Sequence, residues 1–132
     1  LRSRMIKYLS TEDVLLLHHL SIEKAGGYHG LRDPGLLDAA VHRPQATFAG
    51  EDLYPTVFDK AGALCHQLIK NHAFVDGNKR TSLLSAMTFL ELNGFVFTCG
   101  QNELVVFGLK IDNKRLSAEK IASWLKIHCA KR

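Results

Sequence analysis

Cysteine is scarce, with three residues in 132. Cys65, Cys99 and Cys129 are far apart and form no C-x-x-C pair. An odd set spaced this widely supports neither a disulfide framework nor a zinc site. No apolar run approaches the roughly 18 residues of a membrane span, and the start has no apolar signal segment. No stretch is low in complexity and none repeats. The chain has no G-x-x-x-x-G-K-[ST] loop and no kinase-type glycine-rich loop, which excludes those two nucleotide sites. His18, His19, His29, His42, His66 and His128 are scattered, and none forms the i, i+4 pair of a helix-borne zinc hydrolase. No run of one sign of charge dominates the chain either. The net charge of +4 mixes both signs and fits nucleotide phosphates or an acidic protein as well as nucleic acid. The rest is ordinary for a globular chain, 46% hydrophobic and 23% charged. The cytoplasm is the expected compartment, with no membrane contact.

Residues 1–4, Leu1-Arg2-Ser3-Arg4, precede Met5 and read as a cloning remnant or frame artefact, leaving 5–132 as one domain. Ser10 with Asp13 forms a capping box that opens a helix from Thr11 to Ala25, stopped by Gly26-Gly27. Asp33-Pro34 is an N-cap followed by proline at the first helical position, and the short helix it starts ends before Pro44. Residues 45–56 show little periodicity and read as a mobile surface loop. Thr56 with Asp59 starts a helix whose apolar positions, Val57, Ala61, Leu64, Cys65, Leu68 and Ile69, recur to Asn71. A further helix is expected over Thr81–Asn93, stopped by Asn93-Gly94. Phe95 to Thr98 is β-prone but too short and isolated to imply a sheet. Glu103–Ile111 reads as helical, and Ser117 caps a last helix with Leu116 and Ile121 as a hydrophobic staple. These elements predict a compact all-α domain.

Between two of these helices lies His72-Ala73-Phe74-Val75-Asp76-Gly77-Asn78-Lys79-Arg80, a base, a carboxylate, a glycine, an amide and two cations in one run. Imidazole accepts a proton from an alcohol near neutral pH, so His72 is the candidate general base. Asp76 is a hard oxygen ligand of the kind magnesium takes alongside phosphate oxygens. Gly77 lets a ligand approach backbone, Asn78 can donate to a phosphate and still accept from backbone, Arg80 offers a planar fork, and Lys79 a point charge. Phe74 anchors the loop in the core. A helix entrance adds its own N–H groups for an anion. Together these parts suit transfer of a phosphoryl or nucleotidyl group from Mg²⁺-ATP to a hydroxyl, a reaction made mostly of positioning and charge neutralisation.

The run resembles the signature of the Fic/Doc superfamily, H-x-F-x-[DE]-[AG]-N-[GK]-R. Gly30-Leu31-Arg32-Asp33-Pro34-Gly35-Leu36-Leu37 and the stretch from Asn78 to Gly94 are similar to its Doc (death on curing) toxin branch. The resemblance implies an all-α Fic-type fold and a toxin held in check by a small antitoxin. It makes His72 the base, Asp76 the magnesium ligand, and Gly77, Asn78 and Arg80 the phosphate cradle. Lys79 bears on the reaction type. AMP-transferring Fic enzymes usually carry glycine there, whereas Doc toxins carry lysine, present the γ-phosphate of ATP, and phosphorylate a threonine of elongation factor Tu. The chain departs from the Doc pattern at Gly77, where Doc proper has alanine and the AMP-transferring branch has glycine. Both transfers stay open, and Lys79 favours γ-phosphoryl transfer because its side chain crowds the anion hole. Lys70 and Lys24 stand where the toxins use arginine, as less directional phosphate partners.

A catalytically silent interaction module is the rival from another class, and the intact His72, Asp76, Asn78 and Arg80 count against it. Direct nucleic-acid binding is not expected, because no basic, base-reading helix is apparent. Self-inhibition is not expected either. Fic proteins that restrain themselves carry an [ST]-x-x-x-E-[GN] helix. The nearest match here, Thr47-Phe48-Ala49-Gly50-Glu51-Asp52, lacks the final residue. Inhibition is therefore expected from an antitoxin whose disordered tail folds on binding, near the loop Gln45 to Thr56.

Overall fold

The computed structural model of the chain describes residues 5–132, so the reading of residues 1–4 lies outside the described residues. Helix starts coincide with the capping signals. In α1 (Thr11–Ala25) the Ser10 hydroxyl accepts the Asp13 N–H at 3.1 Å, and the Asp13 carboxylate accepts the Ser10 N–H at 2.8 Å. Asp33 caps α2 (Pro34–His42), and a 3₁₀ turn over Arg43–Gln45 follows. Thr56 and Asp59 repeat the reciprocal box at the start of α3 (Val57–Asn71). α4 (Asn78–Leu92), α5 (Gln101–Lys114) and α6 (Ala118–Ile127) complete six helices among the described residues. The all-α expectation holds.

α3 is the central helix and packs on α2, α4 and α6. Its run Ala61, Gly62, Ala63, Leu64, Cys65 is buried on every side. The small residues set its distance to α6, since a Cβ at Gly62 would lie 2.5 Å from the Ala118 carbonyl oxygen. Phe74, Phe89, Leu37, Leu90, Ile121 and Leu125 fill the core around it. Burial pushes the Cys65 thiol up to about 12 and the Cys129 thiol up to about 11, so neither is a thiolate nucleophile at neutral pH. No helix among the described residues is long and apolar enough to cross a membrane.

Three expectations are corrected. Residues 45–56 contain an antiparallel hairpin, β1 (Thr47–Phe48) with β2 (Glu51–Asp52), turning through Ala49 and Gly50 at positive φ. Its anchor is Lys60, 2% exposed on α3, whose Nζ reaches the Asp52 carboxylate at 3.3 Å and the Pro44 carbonyl at 3.4 Å. The self-inhibition look-alike is thus this hairpin and not a helix. Phe95 to Phe97 (β3) is not isolated, because it pairs antiparallel with Cys129–Lys131 (β4) at the far end of the chain. α4 starts at Asn78, three residues before the expected Thr81, which moves Lys79 and Arg80 from the loop onto the first helical turn.

Candidate active site

The signature run is held from both ends and from beneath. His72 is the C-cap of α3 in left-handed backbone, φ 50° and ψ 52°. Such a residue carries about 1–3 kcal/mol of strain and persists only where its surroundings over-determine it. They do so here: its N–H donates to the Leu68 carbonyl at 3.3 Å, and its own carbonyl accepts from Arg32 Nε at 2.9 Å. The Ala73 carbonyl takes the N–H groups of Arg32 and Asp33, and the Val75 N–H donates to the Gly30 carbonyl. Phe74, 2% exposed, pins the loop to the core as expected of it.

Asp76 projects beyond this anchor. Its carboxylate accepts the Tyr28 N–H at 3.0 Å and the Gly77 N–H at 2.9 Å. These two hydrogen bonds hold the Asp76 carboxyl below the usual carboxylate range, so it is ionised at neutral pH. The approach of the chain to Asp76 needs glycine at 27, where φ is +115° and a Cβ would lie 2.7 Å from Oδ2. Gly77 has φ +75°, and a Cβ there would meet Ile22 Cδ1 at 3.0 Å. Alanine at this position would therefore be strained in this chain.

The Asn78 amide accepts from backbone, as expected of it, and also donates to backbone. It is 8% exposed, and its amide grips the loop: Oδ1 accepts the Phe74 N–H at 3.0 Å and Nδ2 donates to the Phe74 carbonyl at 2.9 Å. What this end of α4 offers an anion is its first-turn backbone N–H groups. Arg80 donates from Nε to Ser21 Oγ at 2.8 Å and from Nη2 to the Gly26 carbonyl at 2.6 Å. That uses two of the five N–H donors of a guanidinium.

His72, Asp76, Gly77, Asn78, Lys79 and Arg80 all line one cavity of about 910 Å³, a size suited to a nucleotide-sized ligand. Lys24 lines it too; Lys70, exposed on the last turn of α3, is not among its lining residues. The opposite wall is apolar, with Leu83, Leu84 and Met87 of α4 facing Leu104 and Leu109 of α5. Gly108 permits that closeness, since a Cβ there would lie 3.0 Å from Leu83 Cδ1 and 3.8 Å from Lys79 Cδ. Among the described residues no group of three or more His, Cys, Asp or Glu could hold a metal, so a metal here would need ligands beyond the protein.

Sequence reasoning missed His18, Ser21, the Tyr28 N–H, Arg32 and Gly108, all contributed by other segments. His18 is 4% exposed, and its Nε2–H donates to the Asp76 carbonyl at 2.8 Å. Only its place on the buried stripe of α1 was visible in advance. Burial lowers its pKa below 6.5, outweighing the Asp76 hydrogen bond that raises it. A lowered imidazole pKa means that the unfolded chain binds the extra proton first. The contribution is complete above about pH 6.5 and is lost as pH falls through the folded value. Urea midpoints should fall between pH 7 and pH 5. His18→Gln should flatten that slope partly and not wholly, because His66 is also lowered by burial. An unchanged slope in His18→Gln would remove His18 from the explanation.

A profile of the Fic/DOC family matches residues 8–90. Over 90 residues the chain is 54% identical to Toxin Doc of Mycolicibacterium smegmatis, covering 68% of this chain and 67% of that protein. Over 89 residues it is 36% identical to Protein kinase doc of Escherichia phage P1, covering 67% of this chain and 70% of that protein. The matched span contains α1 to α3 and most of α4, and with them every polar residue among the described residues that line the cavity. The chain belongs to the Fic/DOC family, on its Doc toxin branch.

Proposed function

We propose that residues 5–132 act as one domain that transfers the γ-phosphoryl group of ATP to a serine or threonine hydroxyl of a protein, and that this transfer makes the chain a toxin. The observation that carries the reading is Lys79 on the first turn of α4, lining one cavity with His72, Asp76 and Arg80. The phage relative's name, Protein kinase doc, supports the same reaction. His72, exposed at the cavity, takes the proton of the acceptor hydroxyl. The hydroxyl oxygen bonds to the γ-phosphorus, the bond to the β-phosphate oxygen breaks, and ADP leaves. Arg80, Lys79 and the helix N-terminus hold the phosphates. Elongation factor Tu is the proposed acceptor, by resemblance, with arrest of translation in the cytoplasm as the result. Gly77 favours a second reading, AMP transfer, because it matches that branch of the superfamily.

Magnesium fits the donor set. Asp76 is an ionised carboxylate whose two oxygens each accept one backbone N–H and keep a lone pair. Bound there, the ion would neutralise charge on the phosphate oxygens. One carboxylate without phosphates is a poor magnesium site, so calorimetry should find negligible Mg²⁺ binding to nucleotide-free protein. Asp76→Ala should lose the magnesium-dependent part of ATP binding. Tight metal binding without nucleotide would contradict this.

Inhibition in trans follows from the Doc branch. The apolar surface next to the phosphate end is the α4–α5 wall, and the hairpin at 47–52 does not line the cavity. An antitoxin tail that folds on binding would find apolar anchor sites on α4 and α5, in addition to the segment Gln45 to Thr56 that the sequence led one to expect. Intact-mass spectrometry of elongation factor Tu incubated with the chain and Mg²⁺-ATP tests the reading. Gain of one phosphate is expected, gain of AMP supports the second reading, and an unmodified factor removes it as the acceptor.

A further inference from the structure

Two buried side chains of α1 hold groups of the site without a core role that needs their polarity. His18 and Ser21, 4% and 8% exposed, are nearly one helical turn apart. The His18 ring lies flat on Phe74, centroids 3.8 Å apart and planes 8° from parallel. A carbonyl oxygen can only accept, so the 2.8 Å contact to Asp76 fixes His18 as the Nε2–H tautomer. Asp76 is thus held through its main chain by His18 and through its carboxylate by the Tyr28 and Gly77 N–H groups. Ser21 Oγ accepts from Arg80 Nε at 2.8 Å, and the Gly26 carbonyl fixes the other side of the same fork. Packing alone would be served by apolar residues at both places, since buried polar groups are costly unless paired.

We infer that His18 and Ser21 are positioning residues: α1 sets the spacing between the carboxylate at 76 and the guanidinium at 80, the metal and phosphate ends of the site. This rests on reading the cavity as a Mg²⁺-ATP site. His18 acts through Asp76 and Ser21 through Arg80. Misplacing either end by about 1 Å is enough to cost on the order of 10²-fold in transfer.

The test separates ring from donor. His18→Phe keeps the stack and loses the N–H, whereas His18→Gln keeps a donor of similar reach and loses the ring. Amide hydrogen exchange, read by NMR on the ligand-free chain, should show Tyr28 and Gly77 exchanging faster in His18→Phe, with α3 amides unchanged. Calorimetry should show the magnesium-dependent gain in ATP affinity falling about tenfold in His18→Phe and recovering in His18→Gln. Ser21→Ala should weaken ATP binding by a similar factor with or without magnesium. His18→Phe with wild-type exchange at both amides and an unchanged magnesium gain overturns the inference. Should His18→Phe not fold, Ser21→Ala decides it, since it removes a single oxygen, and unchanged ATP affinity overturns it. Wild-type protein that binds Mg²⁺-ATP without transferring phosphate sinks the kinase reading and leaves the positioning test intact. Wild-type protein that binds no nucleotide sinks the reading of the site, and amide exchange still decides for His18.

Discussion

Replacing His72 with alanine is expected to relieve growth arrest while leaving the fold and ATP binding nearly intact. Loss of a positioned general base costs about 10²–10⁴-fold in rate, and His72 is the one imidazole among the residues lining the cavity. Its side chain is exposed, so truncation opens no core cavity. Its backbone is left-handed, φ 50°, and alanine tolerates that conformation less well than asparagine. His72→Asn is therefore the matched control: it keeps the turn and cannot serve as a base at neutral pH. Both variants should be folded, bind Mg²⁺-ATP like the parent, and fail to arrest growth. A fully toxic His72→Ala would leave His72 with no catalytic role.

The second large effect is expected at Lys79. Lys79→Gly recreates the G-N-G form of AMP-transferring relatives and removes a side chain that runs past Gly108 along the cavity wall. γ-Phosphoryl transfer should fall and AMP transfer should appear, read by following labelled ATP. The loss of helix propensity, about 1 kcal/mol, falls in the first turn of α4 and is too small to unfold the domain. Efficient AMP transfer by the wild-type chain would sink this prediction, because Lys79 would then not exclude it.

The helices were legible where side chains cap them. The boxes at Ser10–Asp13 and Thr56–Asp59 are local, and α1 and α3 begin where those residues say. α4 was read three residues late because Gly77 caps it by its backbone alone and Asn78, Lys79 and Arg80 break the apolar period. The pairing of Phe95–Phe97 with Cys129–Lys131 joins segments some thirty residues apart, and periodicity carries no information at that range. The site divides the same way. The signature run suggested a chemistry, and its polar residues do line one cavity. Their supports are main-chain groups and partners from α1 and the segment after it: His18, Ser21, the Gly26 carbonyl and the Tyr28 N–H. No local pattern marks a backbone N–H that meets a carboxylate 48 positions later. Asn78 has a use that its place beside cations did not announce, since its amide also clamps the loop through both main-chain groups of Phe74.

The most direct measurement is transfer of label from ATP carrying it at either the α- or the γ-phosphate, with the purified chain, Mg²⁺ and a cell lysate. Protein labelled from the γ position and not from the α position is the expected result, and it should vanish with His72→Ala. Label from the α position would make the chain an AMP transferase, and label from neither, with folded and soluble protein present, would contradict a catalytic role for the cavity.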